Sequence, residues 1–292
     1  MKPPPFDYLR PTSLEEALEI KAQHGDDARV LAGGQSLIPT MNFRMVQPSI
    51  LVDLNEIPEL DYIELDSEGF LHIGAMTRQR HVEHDPEVEQ NAPLLHETIP
   101  FIAHPQIRNR GTLGGSLVHA DPASELPVIA LATEAEMRVE SVEGERWISG
   151  EDFFQGMFMT DIGSDEILVE IKLPAMPERT GWSFMEVSRR SGDYAMMGVA
   201  ALVMLKDDGL CKDARLVYLN AGDGPVDAKA AAGLLMGEKG TDAVIEAVAQ
   251  EASQKEIDPF GSIHATIAYQ RHLANVLTKR ALHQAFHRAD LA

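Results

Sequence analysis

Two separate glycine-rich stretches constrain this 292-residue chain more than any other feature. The first, Leu31-Ala32-Gly33-Gly34-Gln35-Ser36-Leu37, follows a short apolar run and precedes another apolar pair. The second, Asn109-Arg110-Gly111-Thr112-Leu113-Gly114-Gly115-Ser116, has three glycines within five positions. Glycine has no side chain to pack and loses most backbone freedom on folding. It is kept where the chain takes unusual dihedrals or where something approaches the main chain closely. One such pair reads as a tight turn between elements. Two glycine–hydroxyl loops in one part of a chain exceed what turns require. Successive N–H groups left free in such loops form a concave anion site that Ser and Thr hydroxyls extend.

A pyrophosphate is the natural occupant of such a site. Downstream of the second loop stand Asp121 and Glu125, which repel phosphate but accept hydrogen bonds from hydroxyl or amino groups. Phosphates against amides and hydroxyls against carboxylates describe a dinucleotide. Neither loop spells G-x-G-x-x-G, and no G-x-x-x-x-G-K-[ST] occurs, so a Rossmann NAD domain and a nucleotide triphosphatase are disfavoured.

The surrounding pattern alternates helices and strands. "TSLEEALEIKAQHG" predicts a helix with Ser13 and Glu16 at capping-box spacing and Gly25 as its stop. "ARVLAGG" and "SILVDLNEI" read as buried strands, which gives a small α/β unit over about residues 1–55. "DYIELDSEGFLHIGAM" predicts a hairpin across Ser67-Glu68-Gly69. After a helical stretch, "APLLHETIPFIA", comes the second glycine loop. A helix, "PVIALATEAEM", and a hairpin across Glu143-Gly144 follow, and "DEILVEIKLP" is a strand stopped by Pro174. From about Trp182, "AMMGVAALVML" and "DARLVYLNAG" read as paired strands. Helices over 228–236 and 241–252 come next, then a last one with Tyr269, Leu273, Val276 and Leu277 on one face. A boundary is expected near 175–181.

Charge and composition exclude several functions. A formal net charge of −21 argues against nucleic acid as a partner, because that binding relies on a basic surface. No run approaches the roughly 20 apolar residues of a membrane span. The start, "MKPPPFDYLRP", lacks the apolar segment of a secretory signal, so a cytoplasmic address is expected. The single cysteine, Cys211, cannot form an intramolecular disulfide or a thiolate metal cluster from this chain alone.

Five segments in order, "AGGQSLIP", "IAHPQIRNRGTLGGSLVHADPASELP", "DEILVEIKLP", "SRRSGDYAMMGVAA" and "HATIAYQRHLANVLTKRAL", closely resemble the FAD-binding medium subunit of molybdenum hydroxylases, the xanthine dehydrogenase and carbon monoxide dehydrogenase family. The resemblance spans essentially the whole chain. It implies an α+β fold: a vanillyl-alcohol-oxidase-type (PCMH) FAD-binding domain of two α/β subdomains, about 1–55 and 56–176, then a carbon monoxide dehydrogenase flavoprotein-type α+β domain over 181–288. It implies that Ala32, Gly33, Gly34, Gln35, Ser36 and Leu37 wrap the FAD pyrophosphate, and that Thr112, Gly114, Gly115 and Ser116 form the second loop. Ile102 falls where a residue packs against the cofactor, and Asp121 and Glu125 fall where polar groups meet its ribityl and nucleotide portions. Leu168 falls where the adenine side or the flavin is touched, and Tyr194 falls against the isoalloxazine face. It further implies a large molybdopterin subunit and a small subunit with two 2Fe-2S clusters, as a dimer of heterotrimers, with no catalytic side chain or metal in this chain. At Met185 and Glu186 the lysine of xanthine dehydrogenase-like members is missing, which argues against NAD⁺ reduction of that kind.

Other features carry weaker readings. His81 and His84 lack a third ligand cluster and read as a solvated helix face. Ser116, His119 and Asp121 have the residue types of a hydrolytic triad but are crowded into one loop. Residues 260–289 contain no acidic residue yet include Arg271, Lys279, Arg280 and Arg288, a pattern of macrodipole compensation or of a docking surface. The residues alone leave open a self-contained FAD oxidoreductase and a nucleotide-binding module without redox turnover.

Overall fold

The computed structural model describes residues 1–292 as three main sheets with helices between them, plus a two-stranded ribbon of Phe154–Gly156 and Met159–Thr160. The first sheet is parallel, with Ile50–Asp53 flanked by Asp7–Leu9 and Ala28–Leu31. The helix Leu14–His24 crosses between the outer strands. Ser13 caps it by accepting from the Glu16 N–H, and Gly25, at φ 51°, ends it. Capping of this kind is worth about 1 kcal/mol. Asp7–Leu9 is too short and too exposed to show a period, and sequence pattern missed it.

The second sheet is antiparallel, in the order Ile63–Leu65, Leu71–Gly74, Ile167–Leu173, Glu136–Ser141, Gly144–Ser149. Both predicted hairpins are present. The helix expected to run through Glu136 and Met137 is shorter, Glu125–Ala132, because those two residues already pair in the sheet. Ile167–Leu173 has apolar residues on both faces. Ile167 and Val169 meet the first unit's core, while Leu168 and Ile171 meet the central one.

The third sheet pairs Thr180–Ser188, Ala195–Leu205, Cys211–Leu219 and Val226–Asp227. One face carries the helices Asp242–Glu251 and Ile267–Leu291, and Met197, Val199, Leu273, Leu277 and Leu282 fill that core. The other face presents Phe184, Ala200, Val217 and Leu219 to the core of the preceding unit. Polar contacts lock the seam: the Asn220 N–H donates to Pro122 O (2.7 Å), and Arg288 donates to Glu97 (2.6 Å) and to Trp182 O (2.8 Å).

The last helix turns differently from expectation. Gln270, Leu273, Ala274 and Leu277 are buried, whereas Tyr269 is exposed. Its basic residues are largely spent inside the chain: Arg271 on Ser253 O, Lys279 on Glu246 and Arg288 on Glu97. No helix is long and apolar enough to cross a membrane.

Candidate functional site

The two glycine stretches meet in space. A Cβ on Gly33 would run into the Arg110 carbonyl oxygen, and one on Gly115 would lie 3.3 Å from the Ala32 Cβ. Gly34 takes φ 71°, which L side chains rarely adopt. The N–H groups of Ala32, Gly33, Gly34, Gln35 and Ser36 donate to no acceptor in the protein. Leu37 then opens the short helix Leu37–Asn42.

Four of these five residues, Ala32–Gln35, line an open hollow of about 390 Å³ together with Leu31. Ile38, Pro39, Asp53, Asn55 and Arg110 complete it. Asp53 is 7% exposed and its oxygens are taken by Tyr8 OH and by the Asn55 N–H (2.9 Å) and side-chain amide. Burial works to raise its carboxyl, but those hydrogen bonds outweigh burial and hold it below the usual range. Asn55 also donates to Ala32 O (3.0 Å), and Arg78 donates to both Asn55 and Arg110 O, so the hollow has a braced floor. Arg110 is exposed and has no carboxylate partner. Free amides facing an unpaired guanidinium make an anion site suited to a diphosphate.

The second loop is built otherwise. Leu113 N–H donates to Thr77 O (2.9 Å), Gly114 N–H to Ala75 O (2.9 Å), Gly115 N–H to Thr112 Oγ1 (3.0 Å) and Ser116 N–H to Thr112 O (3.3 Å). Thr112 is thus the cap of the helix Leu113–His119. The amides of Leu113–Ser116 are all used and only that of Thr112 is left without an acceptor, so the expectation of a run of free N–H groups holds for the first loop only. Gly114 exists for packing: a Cβ there would stand 2.6 Å from the Ala75 Cβ.

That helix carries the site away from the anion end. Ser116 Oγ lies 3.1 Å from Ser124 Oγ. Beyond Ala120, at φ 48°, Asp121 accepts from the Ala123 N–H (2.9 Å), and Ser124 is the residue before the helix Glu125–Ala132. Glu125 is 7% exposed, and burial first, then the charge of Asp121, pushes its carboxyl up to about 7. Tyr194 is 70% exposed. Desolvation, then the charges of Asp121 and Glu125, raise its phenol. With so much of the ring open to water the informative part is the two carboxylates, which place it at the Asp121–Glu125 end. The turn before Tyr194 is pinned because Gly192, at φ 86°, sits where a Cβ would strike His104.

The structure therefore brings the two glycine loops together, Gly33 against Arg110 and Gly115 against Ala32, and groups Asp121, Glu125 and Tyr194 with one another beyond the helix Leu113–His119. Ile102 and Leu168 stand apart. They are 8% and 5% exposed and belong to the central apolar core. Ile102 lies two residues from His104, which Gly192 touches, and Leu168 precedes Val169, whose carbonyl binds Ala75. Sequence reasoning missed Asp53, Asn55 and Arg110. A glycine loop flanked by arginine was visible, but only the fold turns Arg110 toward Gly33. Burial holds His119 below its ordinary pKa, and its ring packs against Phe158 at 5.1 Å. It is a packing residue, not part of a triad.

Free amides and a guanidinium at one hollow, with two carboxylates and an aromatic ring grouped beyond the helix Leu113–His119, are the chemistry a dinucleotide cofactor needs. Comparison with known proteins makes the class specific. Residues 4–176 match the FAD binding domain in molybdopterin dehydrogenase, and 182–285 match the CO dehydrogenase flavoprotein C-terminal domain. The chain is 42% identical over 289 residues to the 6-hydroxypseudooxynicotine dehydrogenase complex subunit alpha of Paenarthrobacter nicotinovorans, covering 99% of this chain and 97% of that one. It is 36% identical to the carbon monoxide dehydrogenase medium chain of Hydrogenophaga pseudoflava, covering 99% of each. The solved carbon monoxide dehydrogenase of that organism superposes with a TM-score of 0.95 at 37% identity, again over 99% of both chains. The chain belongs to the FAD-binding medium subunits of molybdenum hydroxylases, and FAD is its cofactor.

Proposed function

We propose that this chain is the electron-transfer subunit of a molybdenum-dependent dehydrogenase. It takes electrons from the two-iron clusters of a small partner subunit and passes them to an external acceptor, while a large molybdopterin subunit oxidises the organic substrate. The observation that carries the reading is the run of unpaired amides at Ala32–Ser36, four of whose residues line a hollow shared with Arg110. Bound FAD supplies one-electron uptake and two-electron release. Everything else is the work of this chain's residues. Ala32–Ser36 and Arg110 hold the diphosphate, Thr112 and Gly115 brace the adjoining helix, Asp121 and Glu125 accept from hydroxyl groups, and Tyr194 covers one flavin face. Ile102 and Leu168 support the cleft from the core side. In this reading residues 1–176 form the FAD unit and 181–288 the second domain, in a cytoplasmic dimer of heterotrimers.

Two features support division of labour among chains. Cys211 is buried and burial pushes its thiol up to about 11, so this chain offers no thiolate for an iron–sulfur cluster. The two relatives act on different substrates, as their names state, although both align over nearly the whole of this chain. That pattern suits a module whose partner selects the substrate.

Co-expression with large molybdopterin and small iron–sulfur subunits encoded in the same genome tests the proposal. A stoichiometric complex whose flavin is bleached by the organic substrate supports it, and turnover by the lone chain refutes it. The FAD is expected to be noncovalent, because neither glycine loop carries a His or Cys positioned for attachment. Acid precipitation should release all the yellow colour, and flavin in the pellet would contradict this.

A further inference from the structure

Glu186 lies in the strand Thr180–Ser188, and register settles which way it faces. Met185 and Val187 pack toward the C-terminal helices, whereas Phe184, two residues before Glu186, packs toward the FAD unit. Glu186 pairs across to Gly198, and Gly198 to Leu219, which also packs toward the FAD unit. A Cβ on Gly198 would stand 3.0 Å from the Glu186 Cβ and 2.9 Å from Leu219 Cδ2. The missing side chain leaves Glu186 room to lie over the sheet in the seam that the Glu125–Ala132 helix closes.

Glu186 Oε2 is buried without any hydrogen-bond partner. Glu125, in the helix packed on this strand pair, is nine-tenths buried, and its carboxyl has only its own backbone N–H as a donor. The charged or titratable groups that act on this pair and on the phenol beside it are acidic throughout: Asp121 on Glu125, Glu125 on Glu186, and both Asp121 and Glu125 on Tyr194. No lysine or arginine compensates. An ionised carboxylate with a dry, unpartnered oxygen is costly, and a second charge facing it adds to the cost, so one member keeps its proton. Burial, then the charge of Glu125, pushes Glu186 up to about 8, above the value near 7 for Glu125. The two steps belong to the pair.

Resting on the FAD reading above, we propose that Glu186 is a proton-holding positioning residue of the cofactor cleft. It stays neutral opposite Glu125, which leaves Glu125 as the member of the pair that joins Asp121 in meeting the cofactor's hydroxyl groups. When alkali removes the Glu186 proton to solvent, two charges oppose across the seam and the cleft loosens its hold.

The sign of the stability effect follows. Both carboxyls hold their protons more tightly folded than at the ordinary 4.5, so the folded chain binds more protons than the unfolded one between that value and about 8. Stability therefore falls as pH rises through this window and levels off above it. Infrared titration of the apo chain is expected to show a carboxylic-acid band that disappears near pH 8 and is missing from Glu186→Gln. The parent's Tm should drop between about pH 6 and about pH 9, and Glu186→Gln and Glu186→Met should flatten that drop. Parent FAD affinity should fall about tenfold over the same rise, with no fall in Glu186→Gln. A band and a Tm profile unchanged in both variants overturn the proton assignment. A pH-independent FAD affinity beside a normal infrared titration overturns the link to the cofactor. Failure of the parent to bind FAD at all would instead refute the functional reading.

Discussion

The two glycine loops resemble each other in sequence and differ in what their glycines do. Around Gly33 and Gly34 the amides are unpaired and face a hollow; around Gly114 and Gly115 every amide is spent on Thr77, Ala75 or Thr112. One loop keeps its backbone for a ligand, and the other uses it to bring a helix against the second sheet. A glycine pair therefore marks close approach, and only the hydrogen-bond ledger tells whether the approaching group is a ligand or the protein itself. The loops depend on one another, because the second presents Arg110 to the first.

The sharpest break of this comparison is Gly114→Val against Gly34→Ala. At Gly114 the new Cβ would sit 2.6 Å from the Ala75 Cβ and 2.7 Å from Ala75 O, in a buried seam where neither neighbour can withdraw. Overpacking of this kind costs about 3 kcal/mol or more, so thermal unfolding should shift down strongly whether or not FAD is added. Gly34→Ala meets only Leu31 and Ile38 side-chain atoms at 3.1 and 3.2 Å, with strain from its φ of 71°. It should cost about 1–2 kcal/mol and act chiefly on FAD affinity. Equal apo-chain stabilities for the two variants would erase the distinction between a packing loop and a binding loop.

The next effect isolates charge. Arg110→Gln removes an exposed guanidinium that pairs with no carboxylate, so apo stability should change by less than about 0.5 kcal/mol. FAD binding should weaken about tenfold to a hundredfold, the range of one charge-assisted contact to phosphate, and become less sensitive to salt. Titration of the apo protein with FAD at two ionic strengths measures both. An unchanged affinity would leave the free amides as the whole of the anion site.

Much of this organisation was legible in the chain. Turn residues announced both hairpins, Ser13 and Gly25 bounded the first helix, and the glycine pairs announced the close backbone approach of two segments. What was hidden depended on contacts between distant segments. Arg110 gains meaning only because Arg78 holds its carbonyl and Gly33 admits it. The second loop's amides are satisfied by Thr77 and Ala75, far earlier in the chain. The strand Thr180–Ser188 went unnoticed because both of its faces are covered, one by the last helix and one by the FAD unit, which erases the alternation that marks a strand. Tyr269 misled because an aromatic at the start of an apolar helix face reads as buried, while Gln270 takes the inner position to bond Met196 O (3.1 Å) and Gly261 N–H (2.9 Å).

The smallest expected effect lies outside both loops, at the tyrosine beside Asp121 and Glu125. Tyr194 is 70% exposed in the chain by itself, so neither Tyr194→Phe nor Tyr194→Ala should alter apo stability measurably. Its place is nonetheless set, since Gly192 packs on His104 before it and Asn220 Nδ2 holds Ala195 O (2.8 Å) after it. A ring fixed at both flanks and left uncovered is prepared to stack on a planar partner. Tyr194→Phe keeps that surface and should bind FAD as the parent does. Tyr194→Ala removes about 0.5–1.5 kcal/mol of stacking, a loss of up to about tenfold in affinity. It should also change the rate at which oxygen or a dye reoxidises the reduced flavin, because one flavin face is uncovered, while electron entry from the partner subunit persists. Stopped-flow reoxidation of the three proteins separates these outcomes. Matching rates and matching flavin occupancy in Tyr194→Ala and the parent would detach Tyr194 from the cleft and confine the binding determinants to the loop end.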